Sequence, residues 1–311
     1  MTVLVTGGCG FIGSSLVRQL RERGIEPRVL DNLSRGSADN LPEDIELVVD
    51  DIRNEDALAK ALAGVDRVVH LAAFGSVIES IEDPIENFEV NVGGTLTLLR
   101  ACVDLDVAQL VFASTGGALM GKAEPPVDES TIPWPVSPYG ASKLCCEAYL
   151  HGFAGAYGLR ATALRFPNVY GPFSTHKTSV ITTFVKNALN GRPLVIYGDG
   201  SATRDFLYVD DLTRAICATL DVELEDEVIQ LASEQETTVG ELAELVLCLT
   251  EREDLPVEHR PARRGEVERI FAAAEKARRV LGFSPAETLE SGVEKTVEWF
   301  RADRSRWESP V

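Results

Sequence analysis

Tyr139 and Lys143 stand four residues apart in the run Ser137-Pro138-Tyr139-Gly140-Ala141-Ser142-Lys143, a spacing that puts both side chains on one face of a helix. A free tyrosine titrates near pH ~10 and is a poor base in neutral solution. An ammonium one helical turn away favours the phenolate, which can then take the proton from a hydroxyl group. Alone, the same pair is also an ordinary amphipathic pattern, so its meaning depends on its surroundings. Ser114 and Thr115 close an apolar run, Leu110-Val111-Phe112-Ala113. A hydroxyl there can hydrogen-bond a reacting oxygen and share its proton with Tyr139, or simply bond to local backbone. Thr115 is the preferred candidate and Ser114 the alternative.

A second constellation lies at the other end of the chain. Thr6-Gly7-Gly8-Cys9-Gly10-Phe11-Ile12-Gly13 places glycines at 7, 10 and 13 between a strand-like and a helical run. Such glycines let the chain turn tightly and let a pyrophosphate approach a helix N-terminus, whose N–H groups and dipole attract it. Gly7, Gly10, Phe11, Ile12 and Gly13 are therefore the expected contacts of a dinucleotide. Asp31 closes the next strand-like run, where a carboxylate accepts hydrogen bonds from the adenosine ribose and repels a 2′-phosphate. This favours NAD over NADP, with Arg35 nearby as the residue that pulls the other way. Asp51-Ile52 and Ala72-Ala73 end two further runs, where a cofactor fits beyond the carboxyl edge of a parallel sheet. With NAD in place, its positive nicotinamide adds to Lys143 in favouring the Tyr139 phenolate, and hydride can leave the carbon whose hydroxyl Tyr139 deprotonates.

Six strand-like runs carry these residues: Val3-Leu4-Val5, Arg28-Val29-Leu30, Ile45 to Val49, Arg67 to Leu71, Leu110 to Ala113 and Ala161 to Phe166. Helical patterns lie between them, the clearest from Phe11 to Arg23, Pro84 to Leu105 and Ser137 to Tyr157. β-Branched runs alternating with helices predict an α/β fold, a doubly wound parallel sheet of Rossmann type covered on both faces. After Gly171 the rhythm breaks into shorter helical segments separated by loops with recurrent Pro and Gly. Residues 1–171 are thus predicted to form the cofactor-binding domain with the catalytic pair. Residues 172–311 are predicted to form a smaller α/β part that caps the sheet and binds substrate, with the chain free to cross back.

The 311 residues are 45% hydrophobic, with no run near the roughly 20 apolar residues of a membrane span. The first strand begins at Thr2, which leaves no room for a signal peptide, so a cytoplasmic protein without membrane contact is expected. The net charge of −19 repels phosphate backbones and argues against nucleic acid as a partner. It also requires that any nucleotide be met by local N–H groups and arginines. The six cysteines form neither a C-x-x-C pair nor a Cys/His cluster, so reduced core residues and no metal are expected.

These pieces together resemble the extended short-chain dehydrogenases, in particular the NAD-dependent sugar-nucleotide epimerases and dehydratases, and most closely the UDP-glucose 4-epimerases. The matching segments are Thr6 to Gly13, Asp31-Asn32-Leu33-Ser34, Asp51-Ile52, His70-Leu71-Ala72-Ala73 and Asn91-Val92-Gly93-Gly94-Thr95. They continue with Ser137 to Lys143, Arg165 to Pro172, and Gly198-Asp199-Gly200 through Arg204-Asp205-Phe206 to Asp210-Asp211. The resemblance implies that Tyr139 is the base, that Lys143 holds the cofactor ribose, and that Ser114 or Thr115 assists. It extends the cofactor contacts to Asn32, Ser34, Leu71, Asn91 and Phe166, and assigns the UDP phosphates to Asn168, Arg204 and Arg264. The implied reaction is a hydride loan: O4 yields its proton to Tyr139, C4 yields hydride to NAD, the 4-keto sugar turns, and hydride returns to its other face. The cofactor is regenerated and stays bound. A homodimer built from the segments near 84–105 and 137–157 is implied as well.

The chain also departs from its relatives. The Val-Tyr-Gly common after the strand-five hydroxyls is replaced by Gly116-Gly117-Ala118-Leu119-Met120-Gly121. No Asp or Glu lies between Phe112 and Lys122, which argues against the 4,6-dehydratases, whose elimination of water needs acids there. After Gly171-Pro172, where many relatives carry Arg-Gln, the chain reads Phe173-Ser174-Thr175-His176-Lys177-Thr178-Ser179, a polar cluster that includes His176 and Lys177. Either could pair with a carboxylate and make the substrate a UDP-uronic acid, although a solvated loop is the preferred reading. Ile270 falls where a bulky aromatic limits the sugar pocket in some relatives, and an Ile there could admit an N-acetylhexosamine. The choice between UDP and dTDP stays open. The rivals are decarboxylation of UDP-glucuronic acid, net reduction, and a non-catalytic dinucleotide-sensing protein. Asp31 argues against an NADPH-consuming reductase, and the Tyr139–Lys143 pair argues against the non-enzyme.

Overall fold

The computed structural model describes residues 1–262 and 268–307. The chain opens with β1 (Thr2–Thr6), α1 (Phe11–Glu22), β2 (Glu26–Asp31), β3 (Glu46–Val49), α2 (Glu55–Leu62) and β4 (Arg67–His70). Two short helices follow, α3 (Val77–Glu82) and α4 (Pro84–Phe88), then a π turn at Glu89–Gly93, α5 (Gly94–Asp104) and β5 (Gln109–Thr115). A short α6 (Gly117–Met120) precedes α7 (Pro138–Tyr157), β6 (Ala161–Phe166), β7 (Asn168–Tyr170), α8 (Val180–Leu189) and β8 (Leu194–Tyr197). Next come β9 (Thr203–Arg204), β10 (Phe206–Tyr208), α9 (Val209–Asp221), β11 (Asp226–Gln230) and β12 (Thr237–Thr238). The described chain ends with α10 (Val239–Thr250), β13 (Val257–Arg260), α11 (Glu275–Leu281) and α12 (Leu289–Ala302).

The main sheet runs β11-β6-β5-β4-β1-β2-β3 with every pair parallel. This is the Rossmann-type α/β fold expected from the sequence. The strands are apolar on both faces because each face is buried. Val3, Val5, Val29, Val69 and Val111 pack under α1 and α9, while Leu4, Leu30, Val68, Leu110 and Phe112 pack under α2, α5 and α7. The strand order reverses between β1 and β4, and the carboxyl edge around that point is where a ligand binds in such a sheet.

The structure adds two features. The chain crosses back after residue 172, since β11 extends the sheet beside β6 and α9 packs on α1. The predicted 84–105 helix is helical throughout, but it is interrupted by the π turn around Asn91. There the Thr95 hydroxyl and the Cys146 thiol both donate to the Asn91 carbonyl, and such turns cluster at functional sites. A third core, built around Phe184, Val246, Val297 and Phe300, joins α8, α10 and α12. Phe11 of α1 belongs to it, so the start of α1 is wedged between the sheet and the smaller part.

Candidate active site

The cofactor loop is set by the register of three strands. Thr6 pairs with both Leu30 and His70, so the turn after β1 lies between the ends of β2 and β4. Gly7 has φ +72°, and a Cβ on it would come 2.7 Å from the backbone nitrogen of Ala72. A Cβ on Gly13 would come 2.2 Å from the carbonyl oxygen of Gly7. Neither position tolerates a side chain without moving backbone. α1 starts after Gly10 with no side-chain cap and no acid in its first turn, which leaves its positive end to an anion. The side chains of Phe11 and Ile12 pack into the core, so these two residues face a ligand only through their backbone.

Asp31 is held from two sides, by the Cys9 N–H at 2.9 Å and the Leu33 N–H at 2.8 Å, one on each oxygen. Each oxygen keeps a second lone pair for a ribose hydroxyl. Burial raises its pKa above the ordinary carboxylate value. Asn32 donates to Asp51 at 2.9 Å. Hydrogen bonds from Arg53 hold Asp51 down at about 2, so it stays charged. Gly7, Gly10, Asp31, Asn32 and Ser34 line a cleft of about 140 Å³ from one side; Asp51, Ile52, Leu71, Ala72 and Ala73 line it from the other. The adenosine half of NAD fits this cleft: the glycine cradle admits a pyrophosphate, and Asp31 is poised for two hydroxyls. Arg35 lines the cleft too, but it is ion-paired with Glu79, which weakens its pull towards a 2′-phosphate.

Tyr139 and Lys143 project from the first turns of α7. Pro138 at the helix start and the Ser137 side chain, which accepts from the Gly140 N–H, fix where the helix begins. Lys143 Nζ donates to the Ala113 carbonyl at 2.8 Å and lies 5.9 Å from the centre of the Tyr139 ring. Burial pushes Lys143 down to about 8 and Tyr139 up to about 12. The lowered phenol expected from the sequence is therefore absent in the protein alone, where desolvation and the neighbouring Cys146 both raise it, although Tyr139 keeps some exposed surface.

A larger cavity of about 440 Å³ lies against Tyr139. Thr115, Tyr139, Phe166, Asn168, Arg204 and Ile270 all line it, gathering residues from β5, α7, β6, β7, β9 and the chain before α11. Arg204 Nη1 donates to the Thr203 carbonyl at 2.8 Å, and the Asn168 N–H donates to the Asp205 carbonyl at 3.1 Å, so both wall residues are fixed by backbone contacts.

Expectations change at four residues. Ser114 drops out as the catalytic hydroxyl because it faces away from the cavity and donates to Glu147 at 2.6 Å. Asn91 is 2% exposed and lines neither space, so it is not a cofactor contact through its side chain. Its amide is engaged by the Phe74 N–H at 2.7 Å and by the Ser142 hydroxyl at 2.9 Å. His176 and Lys177 do not line the cavity. Lys177 is exposed, and its charge is felt at Lys143. Arg264 lies outside the described residues. Sequence reasoning missed the apolar wall of Val77, Ile78, Ile81 and Val136, and it missed the buried Glu147–Arg165 pair beneath α7. Glu147 could have been found, since it continues the four-residue spacing of Tyr139 and Lys143.

Residues 3–232 match the model of the NAD dependent epimerase/dehydratase family. The chain is 36% identical to the putative UDP-glucose 4-epimerase of Methanocaldococcus jannaschii, over 96% of this chain and 98% of that protein. Its fold matches a UDP-glucose 4-epimerase from Thermotoga maritima crystallised with UDP-glucose, with a TM-score of 0.94 and 38% identity over 97% of this chain and 99% of that one. It also matches the Thermus thermophilus UDP-glucose 4-epimerase in complex with NAD, with a TM-score of 0.91 and 36% identity over 97% and 99%. Other relatives include a UDP-N-acetyl-α-D-glucosaminuronate decarboxylase and a dTDP-glucose 4,6-dehydratase, so likeness does not settle the sugar. The match spans the glycine cradle, the phenol–ammonium pair and most of the cavity wall, and it makes this chain an enzyme of the NAD-dependent epimerase/dehydratase family, with NAD as its cofactor.

Proposed function

We propose that the enzyme inverts C4 of a UDP-sugar of the glucose/galactose type through a transient 4-keto sugar. The observation that carries this reading is the single cavity wall shared by Thr115, Tyr139, Asn168 and Arg204. Bound NAD supplies the hydride acceptor, and later the donor, for C4. Tyr139 takes the O4 proton and returns it. Thr115 holds the reacting oxygen. Lys143 spends one N–H on Ala113, keeps two for the nicotinamide ribose, and places its charge beside the phenol. Asn168 and Arg204 meet the diphosphate, a demand the acidic chain cannot satisfy with its general charge. Arg264 has the same role by resemblance. No carboxylate belongs to the described wall of the cavity, which favours epimerisation over elimination of water.

A second reading has one observation in its favour. Ile270 lines the cavity against Gly117, whose hypothetical Cβ would lie 3.3 Å from Ile270 Cγ2. A glycine and a branched aliphatic there leave more room than an aromatic would, so an N-acetylhexosamine is the alternative sugar. The uronic acid reading has less support, because His176 and Lys177 are not in the wall.

The working unit in this proposal is a homodimer. Ile81, Ile85 and Phe88 on α3 and α4, and Tyr149 and Tyr157 on α7, stay exposed, and α3 and α4 pack on α7.

The test is to incubate purified protein with a panel of UDP- and dTDP-sugars without added cofactor and to identify products by NMR. Interconversion of a C4 pair is expected. Release of CO2, or a 4-keto-6-deoxy product, would replace the proposed outcome with another one.

A further inference from the structure

α7 carries a third charged residue in line with the catalytic pair. Tyr139, Lys143 and Glu147 follow at four-residue steps along the helix, so Glu147 lies one turn beyond Lys143 on the same face. It is 8% exposed, and its partner Arg165 on β6 is 4% exposed. Arg165 Nε donates to Glu147 Oε1 at 3.0 Å and Nη2 donates to Oε2 at 2.8 Å. The Ser114 hydroxyl donates to Oε1 at 2.6 Å. Stability alone does not explain such a pair, since apolar residues of similar volume often serve as well or better. Its location suggests another role. Ser114 sits between Ala113, whose carbonyl accepts from Lys143, and Thr115, which lines the cavity. The carboxylate therefore grips β5 between the Lys143 acceptor and the proposed reacting hydroxyl.

We infer that Glu147 is a positioning residue: clamped by Arg165 and Ser114, it locks the end of β5 onto α7 and sets a fixed negative charge one turn from the Lys143 ammonium. The inference rests on Tyr139 and Lys143 being the acid–base pair. The groups that act on Lys143 are Cys146 and Glu147 on its own helix and Lys177 from the loop before α8; His70 of β4 also faces it. Burial keeps the Cys146 thiol protonated and holds His70 neutral, down at about 3. Lys177 opposes the Lys143 charge. Glu147 is thus the carboxylate that supports it against desolvation. Removing that charge lowers the Lys143 pKa further, so the ammonium is lost at lower pH.

The first experiment titrates the 15N shift of Lys143 Nζ in lysine-labelled holoenzyme, assigned with Lys143→Arg, for wild type and Glu147→Gln. A downward move of roughly half a unit to one unit is expected, and the alkaline limb of the kcat profile should move with it. Ser114→Ala keeps both charges. It should lower kcat about tenfold through looser alignment, with the titration and the KM for the sugar nucleotide unchanged. Glu147→Gln leaves Arg165 as an unpaired buried charge. If that variant does not fold, Glu147→Gln/Arg165→Gln takes its place, with a smaller downward move expected because the Arg165 charge is removed as well. An unmoved titration in a folded variant, a loss of activity uniform across pH, or wild-type kcat in Ser114→Ala would overturn the inference. The NMR titration needs no substrate, so wild-type inactivity on every sugar would sink the epimerase reading while this result still stood.

Discussion

Alternate residues of a strand face opposite sides, and at the end of β5 that step separates two hydroxyls. Thr115 lines the cavity, while Ser114 turns to Glu147. Replacing Thr115 with Ala is expected to lower kcat by about ten- to a hundredfold through loss of one hydrogen bond to the reacting oxygen, read in steady-state assays. Tyr139→Phe is expected to cost about 10²–10⁴-fold in kcat while the purified protein keeps its NAD. Normal turnover in that variant would remove Tyr139 as the base. In the protein alone the phenol is pushed up to about 12, so the cofactor's positive charge must bring it down for work at neutral pH. The phenolate absorbance of Tyr139, taken as wild type minus Tyr139→Phe, should therefore titrate at lower pH in holoenzyme than in protein stripped of NAD. The helical pair was legible in the sequence because its spacing is local. The Ser/Thr choice was not, because strand alternation says that the two differ but not which of them faces the cavity.

At the scale of elements, the glycine cradle has the least freedom. A Cβ at position 13 would meet the Gly7 carbonyl oxygen at 2.2 Å, so Gly13→Ala must displace the loop from the start of α1. The expected result is a folded protein purified without NAD, read by cofactor release and chromatography. Asp205, 1% exposed, ties the chain between β9 and β10 to the backbone at Ser233 and Glu234. Burial raises its pKa from 3.8 to about 6. Because the folded value is raised, its stabilising contribution is full below about pH 4 and is lost as the pH rises through about 6. Asp205→Asn removes that titration. Urea unfolding at pH 4 and pH 7 should then show a fall smaller by roughly 2 kcal/mol than in wild type. Most strands of the sheet were legible as β-branched runs between helices. β11 was not, because Asp226-Glu227-Val228-Ile229-Gln230 is a short edge strand with only two apolar residues. The π turn was hidden too, since it depends on contacts from Phe74, Ser142 and Cys146, distant in sequence from Asn91.

At the scale of the whole molecule, a net charge of −19 makes association costly except where an apolar patch offsets it. Ile81, Ile85, Phe88, Tyr149 and Tyr157 form such exposed surface on neighbouring helices. Sedimentation is expected to give the mass of two chains, and Phe88→Asp to give one. The same scale holds the central claim, that hydride is removed from C4 and returned to it within one closed site formed by the sheet edge and the smaller part. The direct measurement uses the UDP-sugar that turns over, deuterated at C4, in ordinary water without added cofactor. The expected result is an inverted product that keeps its deuterium at C4 and carries none at any other carbon. Loss of the label to solvent, or inversion with the label found at another carbon, would contradict the account.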